Sequence, residues 1–116
     1  MRYPAEDVPV TLGSLYSGRA GNAPRLVRAG GLWLLVGEAV QATGITFAAS
    51  TWYTLGTIPA ATAPASETDA PAVSKGTHAL VRITSTGTIM FSLAYSGTYT
   101  TIGETVMRFA GIAWAT

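Results

Sequence analysis

One histidine and no cysteine leave few residues in this chain able to do chemistry. Any relay of nucleophile, histidine and carboxylate must pass through His78. That residue opens an apolar segment beside Lys75, Gly76 and Thr77, with no nucleophile-elbow pattern near it, and reads as an edge or interface histidine. Hard metal ions need clustered oxygen ligands, and the close carboxylates are Glu6-Asp7 and Glu67-Thr68-Asp69, neither with the glycine and spacing of a calcium loop. Glu67 and Asp69 read instead as polar loop residues ahead of an Asp69-Ala70-Pro71 turn. Glu38 and Glu104 would serve as a glycosidase pair only if the fold carried both into one cleft. Gly18-Arg19-Ala20-Gly21 is too short to cradle a phosphate, has no helix after it, and reads as a turn. The expectation is a chain with no catalytic residues, no metal and no cofactor.

What must position these residues is a single small core. The 116 residues suit one domain, 48% of them hydrophobic and 11% charged, the latter well under the roughly 25% of ordinary soluble domains. Seven basic and six acidic side chains leave a formal charge of +1, too weak a field to hold nucleic acid or an anionic membrane surface. The opening residues lack the apolar core of a secretory signal, and threonines, glycines and prolines interrupt the uncharged stretch 39–66 too often for a membrane helix. Neither a nucleic-acid partner nor membrane insertion is expected.

No segment sustains a helical apolar stripe, and the chain is rich in threonine, glycine and β-branched residues, so it is expected to be all-β. The clearest element is a hairpin of residues 78–84 and 88–95 turning at Ser85-Thr86-Gly87, which would set Ile83 opposite Ile89, Val81 opposite Phe91 and Ala79 opposite Leu93. A second hairpin turning at Gly30-Gly31 would pair Leu26 with Leu35 and Val27 with Leu34. Further strands are expected at 8–15, 45–47, 52–58 and 105–114. In the last, Met107, Phe109, Ile112 and Trp114 share the core face only if Ala110-Gly111 forms a bulge. Residues 59–74 carry Pro59, Pro64 and Pro71 and are expected to form a loop. Seven or eight short strands with regular turns point to an antiparallel β-sandwich or jelly roll occupying 23–116, preceded by an arm or first strand at 1–22 that could dock on another protein.

The strand Leu32-Trp33-Leu34-Leu35-Val36 is apolar on both faces. A domain of this size buries only about 65% of its chain surface, so a second copy is expected to cover one of those faces, with Trp33, Leu35, Glu38 and Arg108 as candidate interface residues. Glu38 lies within the apolar strand: either it is buried and needs a cation, for which Arg108 and Arg82 are the candidates, or the strand has emerged from the core by that point. Tyr95-Ser96-Gly97-Thr98-Tyr99 combines aromatic rings with hydroxyls, and Tyr95 and Tyr99 with Pro64 and Pro71 form a candidate recognition loop.

Three segments taken together resemble the head modules of bacteriophage tail fibres and receptor-binding proteins. They are Leu55-Gly56-Thr57-Ile58-Pro59, the Val81-Arg82-Ile83 hairpin turning at Gly87, and Phe109-Ala110-Gly111-Ile112-Ala113-Trp114. The resemblance spans about residues 30–116. It implies a homotrimeric jelly-roll-like head on the virion surface, assembled in the host cytoplasm, with no chemistry of its own. Partners would be its own copies and other capsid or tail proteins. The chain departs from the pattern in the small residues after Pro59 and in having no shaft segment, which favours a decoration or minor capsid or tail protein over a fibre tip. A tip binding a host cell-surface glycan is the alternative.

Overall fold

The computed structural model describes residues 7–41, 46–48, 51–74, 77–93, 98–100 and 105–115. Strands β1 (Asp7–Pro9), β2 (Thr11–Leu12), β3 (Tyr16–Gly18), β4 (Arg25–Ala29), β5 (Leu32–Gln41) and β6 (Thr46–Ala48) form its first half. They are followed by β7 (Tyr53–Thr57), a 3-10 turn at Ala60–Thr62, β8 (Thr68–Ser74), β9 (Thr77–Ile83), β10 (Thr88–Leu93), β11 (Thr98–Thr100) and β12 (Thr105–Ala115). The all-β expectation holds. Among the described residues no helix is long and apolar enough to cross a membrane.

Both expected hairpins form in the expected register. Ile83, Val81 and Ala79 face Ile89, Phe91 and Leu93, and all six are buried. Gly87 takes a φ of +95°, and its N–H donates to the Thr84 carbonyl at 3.0 Å, so the turn requires a residue without Cβ strain. Across the other hairpin, Leu26 faces Leu35 and Val27 faces Leu34. The bulge also forms. Pairing of β12 with β5 slips between Ala110 and Ile112, and Met107, Phe109, Ile112 and Trp114 all enter the core.

Ten of the described strands belong to one sheet, and β6 and β11 form a second, two-stranded one. The ten run β1-β4-β5-β12-β8-β9-β10-β7-β2 in one antiparallel sheet nearly closed into a barrel, with β3 also on the β5 edge. Closure comes from the N-terminal segment, whose β1 pairs with β4 and whose β2 pairs with β7, with Val10 between them. Of the expected arm or first strand at 1–22, the portion from Asp7 to Gly18 is therefore built into the sheet.

The expected loop at 59–74 needs correcting: only its first part is loop, and Thr68–Ser74 is a strand paired with β9 along its whole length. Pro71 is tolerated there because β12 pairs with β8 only at Ser74 and Val73, so beyond Val73 no β12 partner asks for its missing N–H. Thr62, Ala63 and Pro64 pack down over this opening and are buried, and the Trp114 indole Nε1–H donates to the Thr62 carbonyl at 2.7 Å. A separate ribbon of β6 and β11 brings Phe47 edge-on to Tyr53 and Phe91, with ring centroids 4.9 and 5.3 Å apart.

Candidate functional site

Side chains on β5 alternate between core and exterior, and the two sides differ in what covers them. Trp33 and Leu35, expected at a subunit interface, turn inward and are buried by their own chain at 5% and 0% exposure. The Arg28 guanidinium lies 5.1 Å from the centre of the Trp33 ring and roofs it. The opposite face is the more exposed one. There Leu34 lies between Val27 of β4 and Ala113 of β12, and Leu32 lies between Ala29 and Ala115. Leu32 is 44% exposed, Leu34, Val36 and Val27 are half-buried, and the three alanines are exposed. The outcome is an apolar surface three strands wide that none of the described residues covers.

This face ends at an ion cluster. Glu38 faces Arg108 across the β5–β12 pair, and Arg108 Nε donates to Glu38 Oε1 at 2.6 Å. Arg108 is thus the partner that Glu38 needs, and Arg82 is not. A second guanidinium, Arg19, comes within 3.4 Å of the other carboxylate oxygen. It arrives on the loop joining β3 to β4, which leaves the β5 edge and returns around Glu38: the Arg19 N–H donates to the Glu38 carbonyl at 2.9 Å, and the Glu38 N–H donates to the Asn22 carbonyl at 2.8 Å. Asn22 N–H closes the turn onto the Arg19 carbonyl, so the Gly18–Gly21 stretch is a turn as expected. The Arg108 hydrogen bond holds the Glu38 carboxyl below its usual range, against the opposing effect of burial, with help from Asn22 and Arg19. Arg19 and Asn22 were not legible as members of this cluster, because neither lies near Glu38 in sequence. The glycines around Arg19 were the available signal of a chain reversal.

Arg82 belongs to a different cluster. It faces Asp69 across the β8–β9 pair and binds it through two donors, Nε to Oδ1 at 2.8 Å and Nη2 to Oδ2 at 3.0 Å. Glu67 approaches the same guanidinium at 3.4 Å, and the Trp52 ring stacks 4.1 Å away. Glu67 and Asp69 therefore serve a cation of their own chain, and the arginine hydrogen bond lowers the Asp69 pKa. Beside this cluster a second apolar patch faces outward, where Pro71 lies opposite Leu80 and Val73 is the next outward residue of β8. Leu80 is 47% and Val73 51% exposed.

Three of the four candidate recognition residues lie among the described residues. Pro64 is buried beneath the loop it was to present, and Pro71 lies on a strand. Tyr99 belongs to β11 opposite Phe47, where a loop was expected, and Tyr95 lies outside the described residues. His78 faces Val73 in the β8–β9 register.

No family model, curated protein or solved structure matches the chain.

Proposed function

We propose that this chain is a non-enzymatic structural protein of a bacteriophage particle, displayed on the virion surface as a homotrimeric β-domain that decorates or stabilises the capsid or tail. The observation that carries the reading is the outer face of β5, left open by the described residues, where Leu32, Leu34 and Val36 join Val27 and Ala113 in a surface suited to burial against a like chain. The tail-fibre-like motifs supply the viral context. Two further observations favour interaction over catalysis: Glu38 is tied to Arg108 and Arg19, and Glu67 and Asp69 are tied to Arg82, so these carboxylates are committed to ion pairs.

Sedimentation of the purified chain, together with labelling of intact particles, tests the reading. Expected are a species of three times the 12.0 kDa chain mass and surface label on the particle. A folded, monodisperse 12.0 kDa monomer at micromolar concentration would remove the basis of the proposal. Of the residues assigned to the glycan-binding alternative, Pro64 is buried, Pro71 is exposed on β8, and Tyr95 lies outside the described residues.

A further inference from the structure

A cavity of about 440 Å³ lies between the β2–β3 turn, β6 and the start of β7, on residues that neither the ion clusters nor the outer face of β5 use. Tyr16, Phe47 and Tyr53 line it. All three rings pack around Phe91 with centroids 5.9, 5.3 and 5.7 Å from it, and Tyr16 and Phe47 meet it edge-on. The walls are held in place by hydrogen bonds: the Gly13 N–H donates to the Leu55 carbonyl at 2.9 Å, the Tyr16 N–H donates to the Gly13 carbonyl at 3.1 Å, and the Ala48 N–H donates to the Tyr53 hydroxyl at 2.7 Å. Tyr16 is half-buried, and its hydroxyl has no such partner among the described residues. Burial, with Tyr53 beside it, pushes the Tyr16 pKa up to about 12, so the hydroxyl stays a neutral donor.

No described residue of the lining is charged, so the cavity suits a neutral guest. An apolar cavity of about 150 Å³ already admits benzene, and this one has room for an aromatic ring with a substituent. Such a ring would extend the packing that the cluster has around Phe91, and an oxygen on it would accept from Tyr16. The rim is open to solvent at Ser14, Thr46, Thr54 and Leu15, the last 48% exposed. A free small molecule would leave Leu15 uncovered, whereas a side chain arrives on a surface that covers it. We infer that this cavity is an anchor pocket for a tyrosine side chain of a partner protein, its ring seated among Tyr16, Phe47 and Tyr53 and its hydroxyl accepting from Tyr16. The pocket is lined by one chain and stands whether or not copies assemble.

Titration of the full chain with a capped Gly-Tyr-Gly tripeptide, p-cresol, toluene and methyl α-glucoside, followed by backbone amide NMR, tests this. Expected are saturable shifts confined to residues 13–16, 46–48 and 53–54, with the tripeptide binding tightest. p-Cresol should bind about fivefold tighter than toluene, the margin of one neutral hydrogen bond. Tyr16→Phe keeps the ring and should cancel that preference while leaving toluene binding unchanged. Leu15→Asp should bring the tripeptide down to the affinity of p-cresol, with circular dichroism showing that both variants stay folded. A p-cresol preference that survives Tyr16→Phe would overturn the tyrosine assignment. Tighter binding of p-cresol than of the tripeptide would overturn the protein partner. Saturation by methyl α-glucoside at these residues, or no saturable shift with the tripeptide, would overturn the pocket as an aromatic anchor site.

Discussion

Glu38 and Gln41 stand three residues apart on β5 and show opposite fates for a buried polar group. Glu38 has cations on both oxygens, whereas the Gln41 amide, 1% exposed, has no hydrogen-bond partner among the described residues on either its nitrogen or its oxygen. An unsatisfied buried amide costs about 1–3 kcal/mol, so Gln41→Met, which keeps length and removes the polar atoms, should stabilise the fold by about 1 kcal/mol in denaturant titration. A loss of stability would show that the amide has a partner. Glu38 and Asp69 give an acid-side prediction. Both folded-state pKa values lie below the ordinary 4.5 and 3.8, so their stabilisation is present above those values and disappears as pH falls through the depressed ones. The melting temperature should hold near neutrality and fall below about pH 4.5, and Glu38→Gln should lower it at neutral pH while flattening the acid slope. An unchanged slope in that variant would mean the ion cluster adds nothing to the fold. Sequence offered Arg108 and Arg82 as partners for a buried Glu38 but could not choose between them; the β5–β12 register selects Arg108, and Arg19 escaped notice because it reaches Glu38 through a loop.

Elements specified by their own local pattern were the readable ones. The Gly87 hairpin, the Gly30-Gly31 hairpin and the β12 bulge all follow from local alternation of apolar residues, which fixes which side chains must share a face. What misled was Pro71. It argues against a strand with neighbours on both edges, and only the long-range fact that β12 stops pairing at Val73 makes β8 possible. The detour of the β3–β4 loop around β5 was equally unreadable, and it rests on Gly37. That residue has φ +105°, and a Cβ there would lie 2.5 Å from the Ala23 carbonyl oxygen and 2.8 Å from the Pro24 Cα. Gly37→Ala must both adopt a backbone conformation costing about 1–3 kcal/mol and push the 19–24 loop off the β5 edge. Thermal unfolding should show a destabilisation at least that large, with faster amide exchange at Arg19 and Glu38, whose N–H groups the loop contacts protect. Unaltered exchange there would mean the loop is held by something other than its fit over Gly37.

At the scale of the whole molecule, the continuity of the barrel depends on very little chain. Three residue pairs join β1 to β4 and two join β2 to β7, and without them the sheet presents two open edges, one at β4 and one at β7. Sequence pattern anticipated a strand near this segment but not its role, because two- and three-residue strands carry too few side chains to specify which distant edges they join. The consequence bears on how the protein could attach to a larger assembly. A free N-terminal docking arm and a closed barrel make competing demands on residues 7–12, since Val8 and Leu12 pack against the core. Deleting residues 1–12 should therefore open the sheet, abolish cooperative unfolding by circular dichroism and drive edge-to-edge aggregation visible in light scattering. A truncated chain that melts at the same temperature and stays in solution would show that β12 and the β9–β10 hairpin hold the barrel unaided. The first twelve residues would then be free to bind elsewhere.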